Sequence, residues 1–397
     1  MDGWCKIIVP NFIRIRSHWL SMRKFCIIII LIIAVVSCKK LTEATDLITR
    51  PSAREVYARN FEGDTVIFPK WERAFKKGLR DSLQIALPYL EKGLFRPANM
   101  TVHSYTVILK EGENFMLSVE TDSIDEKVFL DVFDWTPAEP NQSKKIIENR
   151  PGEKSISFYV KKSGVYKILV QPEISLYSNF KILAKRNPSY AFPVLGKGNR
   201  SIQSFWGAPK GGGTRSHKGI DIFAKRGTPI IAVVKGSVSS VGERGLGGKQ
   251  VWLSDGLFGN SLYYAHLDSI AVRSGQRVQI GDTLGFVGNT GNAKTTSPHL
   301  HFGIYKRFGG AVDPLPFVKK QEPISDFDLV ASIPLENGII SSGKANLRVS
   351  NSSKAKKVGE LVRRDSVTVM GLTKDWTHVL TKEGQKAFLY RSLISPY

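Results

Sequence analysis

Beyond residue 38 the sequence contains no cysteine; its three are Cys5, Cys26 and Cys38. The body of the chain therefore has no disulfide, no thiolate metal site and no cysteine nucleophile, and a metal there must be held by histidine and carboxylates. Negative charge is also scarce. Thirty-five Asp and Glu face 57 Lys and Arg, a net charge of +22. Five basic residues and one acidic residue fall in 1–37, which leaves +18 for the remainder. Such an excess suggests an anionic partner, with solubility as the plainer explanation. Apolar runs are short, and Gly (35) and Pro (19) are frequent, which leans the fold class toward mainly β. At 397 residues and 42% apolar content there is enough chain for two or three domains with ordinary cores.

One unbroken apolar run, Phe25 to Val36, has twelve residues. That falls short of the roughly 20 needed to span a bilayer and suits the apolar region of a signal peptide, with Arg23 and Lys24 before it. The run ends Val35-Val36-Ser37-Cys38 and a polar stretch, Lys39 to Glu43, follows. This resembles the lipobox of bacterial lipoproteins, which implies lipidation at Cys38, removal of residues 1–37 and a membrane-anchored place in the bacterial cell envelope. Met22 makes a more compact leader than Met1. In that setting the expected anionic partner is cell-wall polymer or anionic lipid, not nucleic acid.

Residues 38–95 read as a tether and a short helical connector, with Trp71, Phe75, Leu79, Leu83 and Ala86 recurring near every fourth position up to Pro88. Residues 96–186 carry β-rich runs starting at Tyr105, Phe115, Val128, Ile156 and Val165, separated by turn signals, and predict a β-sandwich. His103 stands alone there and reads as structural. Residues 321–340 read as a linker. In 341–397 the order Ala345-Asn-Leu-Arg, Lys357-Val-Gly-Glu-Leu, Ser366-Val-Thr-Val-Met-Gly, Trp376-Thr-His-Val and Ala387-Phe-Leu-Tyr is similar to a bacterial SH3-like barrel, a module often found on wall-acting enzymes. Asn351-Ser-Ser departs from the Gly-Pro turn common in that family.

The chemistry concentrates in 187–320. Four of the seven histidines lie between residues 217 and 301. His217 and Asp221 are four apart in a β-branched stretch, and on extended chain an even separation puts both on one face, with Gly219 between them to let the backbone adjust. In Ser297-Pro-His-Leu-His-Phe-Gly, alternation sets His299 and His301 on one face and Leu300 and Phe302 on the other. His266 lies in another strand-like run, Tyr263-Tyr-Ala-His-Leu-Asp. Zinc takes histidine nitrogen and aspartate oxygen, and catalytic sites use three protein ligands with a fourth place for water. Spacing does not settle which histidine of the His-x-His pair would bind metal.

These motifs, with Gly227-Thr-Pro-Ile-Ile-Ala-Val-Val-Lys-Gly and Gly281-Asp-Thr-Leu-Gly-Phe-Val-Gly-Asn-Thr-Gly, resemble the LytM/lysostaphin family of zinc endopeptidases over about 130 residues. The resemblance implies an antiparallel β-sheet groove, one Zn2+ held by His217, Asp221 and His301, and His266 and His299 as the catalytic pair. It implies hydrolysis of peptide bonds in peptidoglycan cross-links or stem peptides, with envelope proteins as possible regulators. The segment Asn292–Pro298 departs from the shorter turn of many members. The alternatives are a catalytically silent envelope binding module that activates other wall hydrolases, and a wall-binding scaffold dominated by the flanking units. Asp268 and Asp313 read as structural, Tyr264 as a packed aromatic and Gly211–Gly213 as a flexible lip of the groove; Arg215 reads equally as a contact for a substrate carboxylate and as a solvated loop arginine.

Overall fold

The computed structural model describes residues 45–397 apart from 47, 64, 98, 99, 101, 137, 328–335 and 397. The signal-peptide, Met22 and Cys38 readings lie outside the described residues. Among the described residues no helix is long and apolar enough to cross a membrane.

The described residues divide into two compact units, the first ending at Asn60 and the second starting at Phe61. In the first, the helix Ala53–Arg59 opens with a capping box: Glu55 N–H donates to the Ser52 hydroxyl, and Ser52 N–H donates to the Glu55 carboxylate. The second unit begins with the helix Ile67–Gly78. Trp71 is its buried anchor; the indole donates to the Pro172 carbonyl at 2.9 Å and meets Phe129 edge-on. The expected helical period continued to Ala86, but the helix stops at Gly78. A Cβ there would press on Val102 and Leu169 at 3.0 and 3.2 Å. Leu83 and Ile85 are buried from extended chain, hydrogen-bonded to Thr106, so their spacing follows a strand-like segment.

Two antiparallel sheets then pack face to face. One runs His103–Leu109, Gly164–Pro172, Val128–Asp134, Lys144–Glu148; the other runs Tyr89–Phe95, Ser178–Pro188, Glu113–Thr121, Ser155–Tyr159. Their inner faces share one core that includes Phe115, Leu117, Val119, Leu130, Val132 and Ile168. Tyr89–Phe95 lies ahead of residue 96, inside the segment read as tether and connector; Glu91, Lys92 and Gly93 hide its alternation.

Beyond the groove domain come seven short strands, Asn337–Ile340, Lys344–Arg348, Lys357–Val362, Ser366–Leu372, Trp376–Leu380, Lys386–Tyr390 and Ile394–Pro396. Most share a small core of their own, but Trp376 and Phe388 belong to the sandwich core. Ser366–Leu372 pairs with Tyr89–Phe95 at Leu372 and Lys92, which merges the two parts into one eleven-stranded sheet.

A polar cluster seals this junction. Glu91, His103 and His378 are almost fully buried. His378 Nδ1 donates to Glu91 at 3.0 Å, Tyr89 and Tyr105 donate their hydroxyls to its other oxygen, and His103 Nδ1 lies 3.4 Å away. Gly371 makes the room: a Cβ there would sit 2.1 Å from the Glu91 carboxylate. His103 is therefore not alone, as its sequence context suggested; its partners come from distant strands. Lys386 adds a bond to Asp81 at 2.6 Å across the same junction.

The groove domain is a ten-stranded antiparallel sheet. Its central order is Gly236–Arg244, Gly248–Asp255, Ser261–Ile270, His299–Lys306, Ile220–Phe223, Ile202–Ser204. Ile220, Ile222, Tyr264, Leu300, Phe302 and Ile304 fill the core on one face. The other face carries the histidines.

Candidate metal centre and active site

Register places the first two donors. Asp221 pairs directly with His301, and Ile222 with Leu300, so Asp221 and His301 share the groove face while their neighbours face the core. His217 arrives differently. It precedes the strand that starts at Ile220, so the expectation of one extended segment from His217 to Asp221 does not hold. The chain bends at Gly219, where a Cβ would meet the Phe302 carbonyl at 2.5 Å and the His301 ring at 2.7 Å. A glycine is needed here for close approach.

Three donor atoms converge. His217 Nε2 lies 3.0 Å from Asp221 Oδ1 and 3.0 Å from His301 Nδ1, and His301 Nδ1 lies 2.9 Å from the same oxygen. His217 Nδ1 donates to the Phe205 carbonyl at 2.9 Å, so in a neutral ring Nε2 is a bare lone pair facing an acceptor-only carboxylate. Lone pairs gathered in this way call for a cation between them. A backbone partner on the far nitrogen is also the usual way a ligating imidazole is oriented. Among the described residues the Glu91, His103 and His378 cluster is the other group of this kind, but its carboxylate is already surrounded by donors and asks for no ion. The donor set of His217, Asp221 and His301 thus fits zinc, with nitrogen, nitrogen and oxygen ligands and an open side toward the groove.

Burial would raise the Asp221 carboxyl, but His217, His301 and Lys210 beside it hold it far below the usual carboxylate range. Burial lowers His301. Lys210, which the sequence did not single out, donates to the second Asp221 oxygen at 2.8 Å.

His266 and His299 stand next to this trio, their rings 5.1 Å apart. His299 stacks on Phe223 and donates Nδ1–H to the Ser297 carbonyl at 2.8 Å; His266 donates Nδ1–H to Thr290 at 2.9 Å. Both rings are thereby fixed with Nε2 as the remaining nitrogen. Burial, with His299 and His301 adding to it, pushes His266 down to about 4, so it is neutral at physiological pH.

His266 has φ 65, a left-handed conformation rare outside glycine. Tyr264 faces the core and Ala265 the groove, so regular alternation would send His266 inward. The left-handed turn sends it into the groove instead, where the strand leaves His299–Lys306 after Ala265 and pairs with Thr283–Val287 from Leu267. A conformation of this kind costs on the order of 1–3 kcal/mol and collects at functional sites.

The five residues line a cavity of about 610 Å³. Tyr263 lines it too, its ring 5.8 Å from His301, whereas Tyr264 is fully buried against Phe302. Alternation alone separates the two tyrosines once Ala265 is placed. Asn292, Ala293 and Thr296 from the departing turn form part of the wall. Gly211–Gly213, all with positive φ, make the tip of the hairpin between Pro209–Lys210 and Arg215–Ser216 at the cavity edge. Asp268 pairs with Arg226 at 2.6 Å, and Asp313 accepts from Leu315 N–H.

Residues 215–314 match the model of peptidase family M23. The chain is 35% identical over 144 residues to an L-Ala–D-Glu endopeptidase of Bacillus subtilis (strain 168), covering 34% of this chain and 44% of that one. It is 35% identical over 108 residues to the glycyl-glycine endopeptidase ALE-1 of Staphylococcus capitis, covering 26% and 29%. The solved catalytic domain of lysostaphin from Staphylococcus simulans is 34% identical, with 29% of this chain and 88% of that one covered and a TM-score of 0.27. The chain spans less than half the length of either curated relative. This part of the chain is a domain of the M23, LytM/lysostaphin type.

Proposed function

We propose that this protein is a zinc-dependent endopeptidase that hydrolyses peptide bonds in peptidoglycan cross-links or stem peptides. The observation that carries the reading is the convergence of His217 Nε2, Asp221 Oδ1 and His301 Nδ1 beside two histidines with fixed tautomers. Similarity to endopeptidases over the same residues supports it.

In this reading His217, Asp221 and His301 hold the ion. Zinc in such a site lowers the pKa of a water ligand to roughly 7 and polarises a carbonyl. His266, neutral with Nδ1–H on Thr290, presents an unprotonated Nε2 that can accept a proton. Because Nδ1–H of His266 and of His299 is spent on backbone carbonyls, a ring that gains a second proton carries it on Nε2, aimed at the groove. It can then donate to the oxyanion or the leaving amine. No covalent intermediate on the protein is required.

The same proposal places the protein in the bacterial envelope, anchored through lipid on Cys38, with peptidoglycan rather than nucleic acid as its partner, and treats the C-terminal strands as an SH3-like unit. A catalytically silent module would have no use for the strained backbone of His266. Chelation tests the reading: stripping metal from the chain should abolish fragment release from purified peptidoglycan, and one equivalent of zinc should restore it. Release that is unaffected by chelation would refute it.

A further inference from the structure

Charge is distributed unevenly around the cavity. In sheet order the pair Asp221–His301 lies at the centre. The hairpin Pro209–Lys210/Arg215–Ser216 lies toward the Ile202–Ser204 edge, and the turns Gly245–Gly247 and Gly291–Ala293 lie beyond the strand Ser261–Ile270. The hairpin side contributes Lys210, Arg215 and Lys218; the far side contributes Leu246, Gly247, Asn292, Ala293 and Thr296, none of them charged. Among the described residues lining the cavity, Asp221 is the one carboxylate, and it is committed to His217, His301 and Lys210.

Two of the three cations have partners of their own, Lys210 and Lys218. Lys210 is pinned to Asp221. Arg215, directly opposite Lys210 in the hairpin, lies along Gly211: a Cβ on that glycine would meet its guanidinium nitrogens at 3.3 Å. Lys218 sits over the Trp206 ring, 5.4 Å from its centre. With Lys210 engaged, Arg215 and Lys218 remain exposed on one wall, beside the metal donors. A planar guanidinium pairs with a carboxylate through two parallel N–H donors, and an ammonium on the same wall adds a second positive charge.

We propose that Arg215 and Lys218 form a carboxylate-binding wall that selects peptides carrying a free carboxylate beside the scissile bond, such as stem peptides with an unamidated D-glutamate, over uncharged glycine-rich bridges. This rests on the endopeptidase reading for the cleavage step, while the binding preference stands on the wall itself. The charge of the lining also orients the peptide, with its anionic part on the hairpin side and its neutral part against Leu246, Asn292 and Thr296.

The test uses the zinc-loaded full chain and two synthetic stem peptides that differ in having the D-glutamate α-carboxyl free or amidated. Cleavage is followed by kcat/KM and binding by calorimetry. The expected result is a preference of at least about tenfold for the free acid, weakened by salt and falling toward one in Arg215→Gln and Lys218→Gln. Equal cleavage of both peptides would overturn the proposal and leave the endopeptidase reading standing. Cleavage of neither, with tighter binding of the free acid that both variants lose, would support the wall and count against the peptidase. Equal binding without cleavage would overturn both.

Discussion

At the scale of single residues, the site depends on two backbone positions as much as on its donors. His266 reaches the groove because its φ of 65 reverses the alternation of its strand. Its Nε2 is free for chemistry because Nδ1–H is bound to Thr290. His266→Gln keeps the three donors and removes the base. The expected result is an unchanged zinc stoichiometry with kcat lowered by about 10²–10⁴-fold; zinc loss in this variant would show that His266 is a ligand. Gly219 is the second position. Gly219→Ala should push on the His301 ring and weaken zinc by about 10–100-fold, as disturbed ligand support does, read by competition with a chromogenic chelator. The histidines and Asp221 were legible in the sequence, because type and spacing are chemical information. Tyr263 and Lys210 were not, nor was the close approach of His301 and Phe302 that makes Gly219 necessary. They depend on which side chains the folded sheet brings together, Lys210 onto Asp221, Tyr263 onto His301 and the His301 ring onto Gly219.

At the scale of elements, alternation served well wherever a strand was regular. Leu300 and Phe302 are fully buried beneath His299 and His301, as the period of two requires. It failed where elements change character: the helix Ile67–Gly78 ends before Leu83, and Tyr89–Phe95 is a strand with a charged centre. That centre is explained by the junction cluster, which no local pattern reveals. Burial would raise Glu91, but His378 and His103 hold it well below its ordinary 4.5; burial lowers His103 from its ordinary 6.5. Both groups bind protons more weakly folded than unfolded. Stability is therefore full above 6.5, falls as the unfolded chain takes up a proton on His103 below 6.5, and falls further below 4.5 as Glu91 is protonated there. His378→Ala leaves a buried carboxylate short of a partner and should cost roughly 3–5 kcal/mol in denaturant unfolding of the junction. A variant as stable as the parent, or a parent whose stability is flat between pH 7 and 5, would contradict this account.

At the scale of the whole molecule, the groove domain lies between two parts that are joined to each other. The sandwich and the C-terminal strands share an eleven-stranded sheet and a core, so the C-terminal part is not a pendant module within residues 61–397. The groove domain meets the sandwich through Lys306–Glu111 at 2.8 Å and through Phe317, which covers Gly112. Strand-by-strand reading anticipated three β parts; that two of them fuse is a property of long-range pairing, visible once Lys92 is seen opposite Leu372. The account is tested most directly on peptidoglycan itself. The zinc-loaded chain and its His301→Ala variant are incubated with purified peptidoglycan, and new amino groups are counted. The account predicts steady release by the parent and none by the variant, which should also fail to retain zinc. Equal release by both, or no release by a parent carrying one zinc per chain, would contradict it.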